Sequence, residues 1–140
     1  MLESTIRKGL RATGRRMTPT RKAVLSLLER THQPLSASEI FAQLQEKQVA
    51  IDIVTVYRTV NVLKELGLVV QLDLFQEGQS RYELKAGRKH HHHIRCQICG
   101  RIVDLLLCPL KKITKVIEER TQFVVGDHTL EFTGFCPKCQ

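Results

Sequence analysis

The sequence predicts an α+β fold in two small parts: a winged helix-turn-helix domain over residues 1–84, a hinge over 85–89, and an α/β domain over 90–140. Three observations predict it. Helix start and stop signals recur as far as Gly67 and then give way to two short apolar runs around a glycine-containing turn. The stretch "KAGRK" from Lys85 to Lys89 is polar and holds a glycine, as a connection does. Beyond it, two Cys-x-x-Cys pairs bracket residues that switch between strand and helix patterns.

In "TPTRKAVLSLLERT", Thr18 is placed to cap a helix and Pro19 to open it, and Val24, Leu25, Leu27 and Leu28 share one helical face. In "SASEIFAQLQEK", Ser36 is followed three residues later by Glu39, a capping box, with Ile40, Phe41 and Leu44 as the apolar stripe; Pro34 leads into it. "DIVTVYRTVNVLKELG" starts at Asp52 and stops at Gly67. Its Val56, Val60 and Leu63 stack toward a core, while Val54, Arg58, Asn61 and Glu65 fall opposite, with Tyr57 on the flank. "LVVQLDLF" and "SRYEL" then read as a hairpin whose turn spans Gln76 to Gln79. Past the hinge, His91 to Cys96 and Arg101 to Leu107 read as strands, "LKKITKVIEERT" as a helix, and "FVVGDHTLEFTGF" as one or two further strands.

A chain of 140 residues in two parts leaves each part short of core, and small domains of this kind rely on staples. No apolar signal segment opens the chain, and no apolar run reaches the roughly 18 to 20 residues that span a membrane. The expectation is a soluble, reduced, cytoplasmic protein. Lys and Arg number 22 against 14 acids, for a formal charge of +8. Up to Arg30 there are eight basic residues (Arg7, Lys8, Arg11, Arg15, Arg16, Arg21, Lys22 and Arg30) and two acids, Glu3 and Glu29. A basic end of this density implies a polyanion partner, against the plainer reading of a solvated helix face.

Cys96 and Cys99, and Cys136 and Cys139, form two knuckles of equal spacing separated by 36 residues. A two-residue gap lets both thiolates of a turn face one ion, and four thiolates close the tetrahedron of a structural zinc site. The alternatives are a redox pair, which normally precedes a helix in a thioredoxin-like unit, and plain buried cysteines. Cys108 in "LLLCPL" reads as a small core residue, with metal ligation as the alternative.

Four histidines run from His90 to His93. In an extended chain, alternation sends His91 and His93 to one face and His90 and His92 to the other. Each pair needs further ligands, and Glu83, Asp104, His128 and His32 stand at suitable places. A mixed nitrogen and oxygen set suits iron(II), manganese(II), zinc or nickel. Taken singly, each of these residues has a plainer reading as a surface acid or a solvated histidine.

"RRMTPTRKAVL", "TVYRTVNVLKELGLV", "RYEL", "HHHHIRCQICGRIVD" and "CPKC" resemble, in order and spacing, the ferric uptake regulator (Fur) family of bacterial metal-dependent repressors, from about Arg15 to Cys139. The resemblance implies a homodimer whose N-terminal winged helix binds an A·T-rich palindrome in double-stranded DNA and whose C-terminal α/β domain dimerises. It implies a regulatory metal site of Glu83, His91, His93 and Asp104 with a histidine from the DNA-binding domain, here His32, and a second metal site of His90, His92 and His128. It implies Zn2+ as the structural ion and Fe2+, or another divalent metal such as Mn2+ or Zn2+, as the regulatory ion. Bound metal then fixes the two DNA-reading helices at the spacing of successive grooves.

The chain departs from the family pattern in two places. Lys111 stands where a glutamate often completes the second site, and His32 lies two residues before the family's histidine position, which holds Pro34. Zinc-sensing members usually carry a cysteine between hairpin and histidines, and residues 84–89 contain none. Peroxide-sensing members tend to have aspartate at the position of Glu83, which favours an iron sensor here, with peroxide, manganese, heme and zinc as the alternatives.

For DNA, the resemblance assigns thymine-methyl contacts to Tyr57 and backbone or base contacts to Arg58, with Thr55 and Asn61 on the same helix. Arg16 matches a residue that enters the narrow minor groove of A·T tracts. Arg15, Arg21 and Lys22 would contact phosphates. Tyr57 could instead be a half-buried packing residue. No nucleophile motif or HExxH is present to support an enzyme, and a metal-storage protein would not need the basic helix-turn-helix half.

Overall fold

The structure is a computed structural model that describes residues 2–75, 77–85 and 87–140. Met1, Gln76 of the expected hairpin turn and Ala86 of the expected hinge lie outside the described residues. The chain divides into two compact units, Met1–Arg88 and Lys89–Gln140.

The first unit opens with α1 (Leu2–Ala12), an element the sequence reading passed over because charge dominates the segment. Its apolar signal is one turn long: Ile6 and Leu10, four residues apart, are both buried, while Arg7, Lys8 and Arg11 face out. α2 (Pro19–Arg30) starts as expected, with the Arg21 amide donating to Thr18 Oγ1 at 3.2 Å. A two-residue strand, β1 (Leu35–Ser36), precedes α3 (Ala37–Glu46), whose capping box is complete: the Glu39 amide donates to Ser36 Oγ at 3.2 Å and the Ser36 amide to Glu39 Oε2 at 2.8 Å. α4 (Ile53–Glu65) begins on the Asp52 carboxylate, which accepts from the Thr55 amide at 2.6 Å and is held below its usual pKa by that bond. Gly67, at φ +68°, supplies the left-handed turn that ends it.

β2 (Val69–Leu72) and β3 (Arg81–Leu84) pair antiparallel, Val69 opposite Leu84, and β1 adds to the far edge of β3, giving the order β1-β3-β2. Val24, Ile40, Val56, Val60 and Leu63 are fully buried at the centre of one core cluster. Arg81 is buried too. Its guanidinium meets Glu77 and Glu39 at 2.8 Å each and donates to the Pro34 carbonyl at 3.1 Å, tying the wing to the start of α3.

In the second unit, β4 (His92–Cys96) is the central strand, antiparallel to β5 (Ile102–Leu105) and parallel to β6 (Glu131–Gly134). The strand expected through Leu107 ends at Leu105, and "FVVGDHTLEFTGF" contributes only β6. No described strand pairs with residues 123–130, so their alternation has no ladder to join. α5 (Lys111–Thr121) buries no residue, and Ile113, Val116 and Ile117 form an exposed stripe along it. Cys96 and Ile102 are the buried hydrophobic residues described in this unit. Among the described residues, no helix is long and apolar enough to cross a membrane.

Candidate metal centres and nucleic-acid face

The parallel register of β4 with β6 places Cys96 opposite Gly134, so the second knuckle follows directly beside the first. Gly100, at φ +73°, closes the first knuckle, with its amide donating to the Cys96 carbonyl. The four Sγ atoms of Cys96, Cys99, Cys136 and Cys139 lie within 4.8 Å of one another, and Cys99 and Cys136 are 3.7 Å apart. Zinc–sulfur bonds of about 2.3 Å in a regular tetrahedron put the sulfurs about 3.8 Å apart, so the set fits zinc. Backbone N–H groups of Cys136 and Cys99 directed at Cys96 lower its thiol to about 6. Hydrogen bonding to Cys136, with burial and the other cysteines, pushes Cys139 up to about 12. One thiolate is therefore ready, and binding an ion releases protons from others.

His91, His93 and Asp104 form a second cluster on one face of β4 and β5. His93 sits opposite Asp104 in the ladder, with Nε2 3.6 Å from Oδ1, and the His91 and His93 ring centres are 4.9 Å apart. His91 Nδ1 donates to the Lys89 carbonyl at 2.8 Å, which leaves the Nε2 lone pair for a ligand. Two imidazoles and a carboxylate are a donor set for a borderline divalent ion. In the first unit, Glu83 is buried on β3 and accepts from Arg88 at 3.1 Å. His32 is exposed in the loop before β1, and Pro34, at the family's histidine position, is fully buried.

The third cluster lies on the other face. His90 Nε2 is 3.0 Å from His92 Nε2 and 3.1 Å from His128 Nε2, and the last two are 3.3 Å apart. Burial holds His92 below its usual pKa, aided by the charges His90 and His128 would carry, so its ring is held neutral as a ligand requires. Cys108 is not the core residue expected. It lies beyond the end of β5, where strand alternation no longer buries a side chain, and its Sγ is 3.4 Å from His128 Nε2.

On α4, Arg58 and Asn61 are exposed, Tyr57 is 48% exposed and Thr55 is partly covered. Arg16 is exposed. Arg15 pairs with Glu65 at 2.8 Å, and the Arg21 guanidinium donates to the Arg16 carbonyl, so both also shape the segment between α1 and α2. Arg7 and Arg11, one turn apart on α1, join Arg15 and Arg16 around a cavity of about 480 Å³, a concentration of positive charge that appears once α1 is recognised as a helix.

The sequence profile of the ferric uptake regulator family matches residues 12–133. The chain belongs to the ferric uptake regulator family. It is 37% identical over 137 residues to the ferric uptake regulation protein of Bacillus subtilis (strain 168), covering 96% of this chain and 91% of that one. It is 34% identical over 139 residues to the peroxide-responsive repressor PerR of Staphylococcus aureus (strain USA300), covering 99% and 91%. Among solved structures, the Helicobacter pylori ferric uptake regulator, described as having three functional metal binding sites, superposes with a TM-score of 0.83 at 27% identity, over 99% of this chain and 93% of that one. The protein is thus a metal-responsive, DNA-binding regulator, and the family consists of dimeric transcriptional regulators, not enzymes. Its four-cysteine and mixed histidine–carboxylate donor sets agree with zinc and with a second divalent ion such as iron or manganese.

Proposed function

We propose that this chain is an iron(II)-dependent repressor that acts in the cytoplasm as a homodimer on an A·T-rich palindromic operator. In this reading residues 1–84 bind DNA, 85–89 are the connection, and 90–140 dimerise. The regulatory ion is held by His91, His93 and Asp104, with Glu83 and His32 as ligands from the DNA-binding domain. Arg16, Thr55, Tyr57, Arg58 and Asn61 read the operator, and Arg15 and Arg21 hold phosphates.

The observation that carries the reading is the donor set on the β4–β5 face. It combines imidazole with carboxylate and contains no thiolate, chemistry that suits iron(II) or manganese(II) and does not select for a soft ion. The ion supplies the charge that draws ligands of both domains together, and the helices are then held at one separation. The exposed stripe of α5, with Val103, Phe132 and Phe135 also exposed in the same unit, supports pairing through the C-terminal domain. A manganese-, zinc- or peroxide-responsive role is the alternative, since the same residues would serve it.

The test is anaerobic fluorescence anisotropy on an A·T-rich palindromic duplex, with protein freed of loosely held metal and then given iron(II), manganese(II) or zinc in turn. A gain of about tenfold or more with iron(II), a coupling of about 1.4 kcal/mol, supports the reading. An equal response to all three, or none, overturns it.

A further inference from the structure

The three-histidine cluster holds four potential ligands, and the fourth is one that family resemblance does not supply. At the glutamate position stands Lys111, an exposed cation at the start of α5. The Sγ of Cys108 instead lies within 4.8 Å of all three imidazole ligand atoms and 3.4 Å from that of His128.

The spacing has the form of a coordination shell. With metal–nitrogen bonds of about 2.0 Å and a metal–sulfur bond of about 2.3 Å, a tetrahedron has nitrogen–nitrogen edges of about 3.3 Å and nitrogen–sulfur edges of about 3.5 Å. Here the three nitrogen–nitrogen edges are 3.0, 3.1 and 3.3 Å, the edge from sulfur to His128 is 3.4 Å, and the other two sulfur–nitrogen edges are no longer than 4.8 Å.

Hydrogen bonding alone cannot satisfy this arrangement. Each Nε2 presents either a proton or a lone pair. Three such atoms in mutual contact must include one pair presenting the same thing, proton to proton or lone pair to lone pair, at 3.3 Å or less. That holds for every choice of tautomer. A cation at the centre removes the conflict, because all three can then present lone pairs to it.

We infer that Cys108, with His90, His92 and His128, forms a closed His3Cys site for zinc or a similarly thiophilic divalent ion. The thiolate brings the single negative charge that a carboxylate would have brought, and it changes the preference. Imidazole and thiolate together suit zinc, whereas manganese(II) favours oxygen. A cavity of about 480 Å³ lined by His90, Cys108, Lys111, Asp127 and His128 gives the ion a way in. The chain would then hold two exchangeable sites of unlike taste, one containing oxygen donors and one containing sulfur. This inference concerns the three-histidine cluster alone and does not depend on which ion controls DNA binding.

Cobalt(II) is the probe, added without DNA to protein whose four-cysteine site is filled with zinc. The expected result is tetrahedral cobalt in the visible spectrum together with a near-ultraviolet sulfur-to-cobalt charge-transfer band. Cys108→Ser should lose that band, and cobalt affinity should fall by about tenfold or more, while the structural zinc is retained as a check on folding. His91→Ala, in the other cluster, should keep the band. Zinc should displace the cobalt and manganese(II) should not. The inference is overturned if the wild-type protein shows no sulfur band, if Cys108→Ser keeps it, or if manganese(II) displaces cobalt as readily as zinc. A failure here leaves the metal-dependent DNA-binding test untouched, and a failure there leaves this one untouched.

Discussion

His93 and Asp104 face each other across the β4–β5 ladder, with Nε2 3.6 Å from Oδ1. That separation is longer than a good hydrogen bond and close to the spacing of two donors that share one ion. Asp104→Asn keeps the shape of the side chain and removes its charge. The expected outcome is a fall in manganese(II) affinity at this cluster of about 10- to 100-fold, on the order of 1.4 to 2.7 kcal/mol. Electron paramagnetic resonance of free manganese(II) would follow it. Unchanged affinity would remove Asp104 from the ligand set.

The C-terminal unit buries little apolar surface within itself, and α5 buries none of its residues. The four-cysteine site ties β4 to the end of the chain and takes the place of a core. Cys139→Ser, or prolonged treatment with a strong chelator, should therefore unfold residues 89–140 and abolish dimerisation. The helices of the first unit, with their own core, should persist in far-ultraviolet circular dichroism. Retention of the dimer after loss of zinc would contradict this.

Much of the first unit was legible because its signals are local. Thr18, Ser36 and Asp52 each cap the helix expected of them, and Val56, Val60 and Leu63 are the buried stripe of α4. α1 was hidden because two apolar residues, Ile6 and Leu10, carry its packing amid four charges. The knuckles were legible from spacing, and the split of His90 to His93 into two faces from alternation. Cys108 was not, because it lies in the irregular segment past β5, where no periodic pattern places a side chain. The end of β5 at Leu105 was equally hidden: Leu106 and Leu107 are as apolar as a strand requires, but β4 offers no partner beyond His92.

Ile113, Val116 and Ile117 follow one another at helical spacing on α5 and remain 53%, 45% and 43% exposed within the chain. Covering the exposed half of such a stripe against a second copy is worth about 1 kcal/mol per large side chain, and a buried unpaired carboxylate would cost at least as much. Ile117→Glu should shift the protein to monomer at micromolar concentration while leaving the four-cysteine zinc in place. Sedimentation velocity and zinc content measure the two. A dimer of unaltered stability would place the interface elsewhere.

Tyr57 stands 48% exposed on α4, whereas Arg21 is engaged with the Arg16 carbonyl at the foot of α2. The two should fail differently. An aromatic edge against thymine methyls discriminates sequence, at about 1 to 3 kcal/mol for a good base contact. A guanidinium near phosphate adds affinity to any duplex and about one unit to the salt slope. Tyr57→Ala should bring operator affinity close to that for a scrambled duplex and leave the scrambled affinity unchanged. Arg21→Ala should weaken both duplexes by the same factor and flatten the dependence on salt. Anisotropy titrations on the two duplexes at several salt concentrations separate these effects. Equal losses on both duplexes for Tyr57→Ala would assign it to general affinity and leave sequence reading to Arg58 and Asn61.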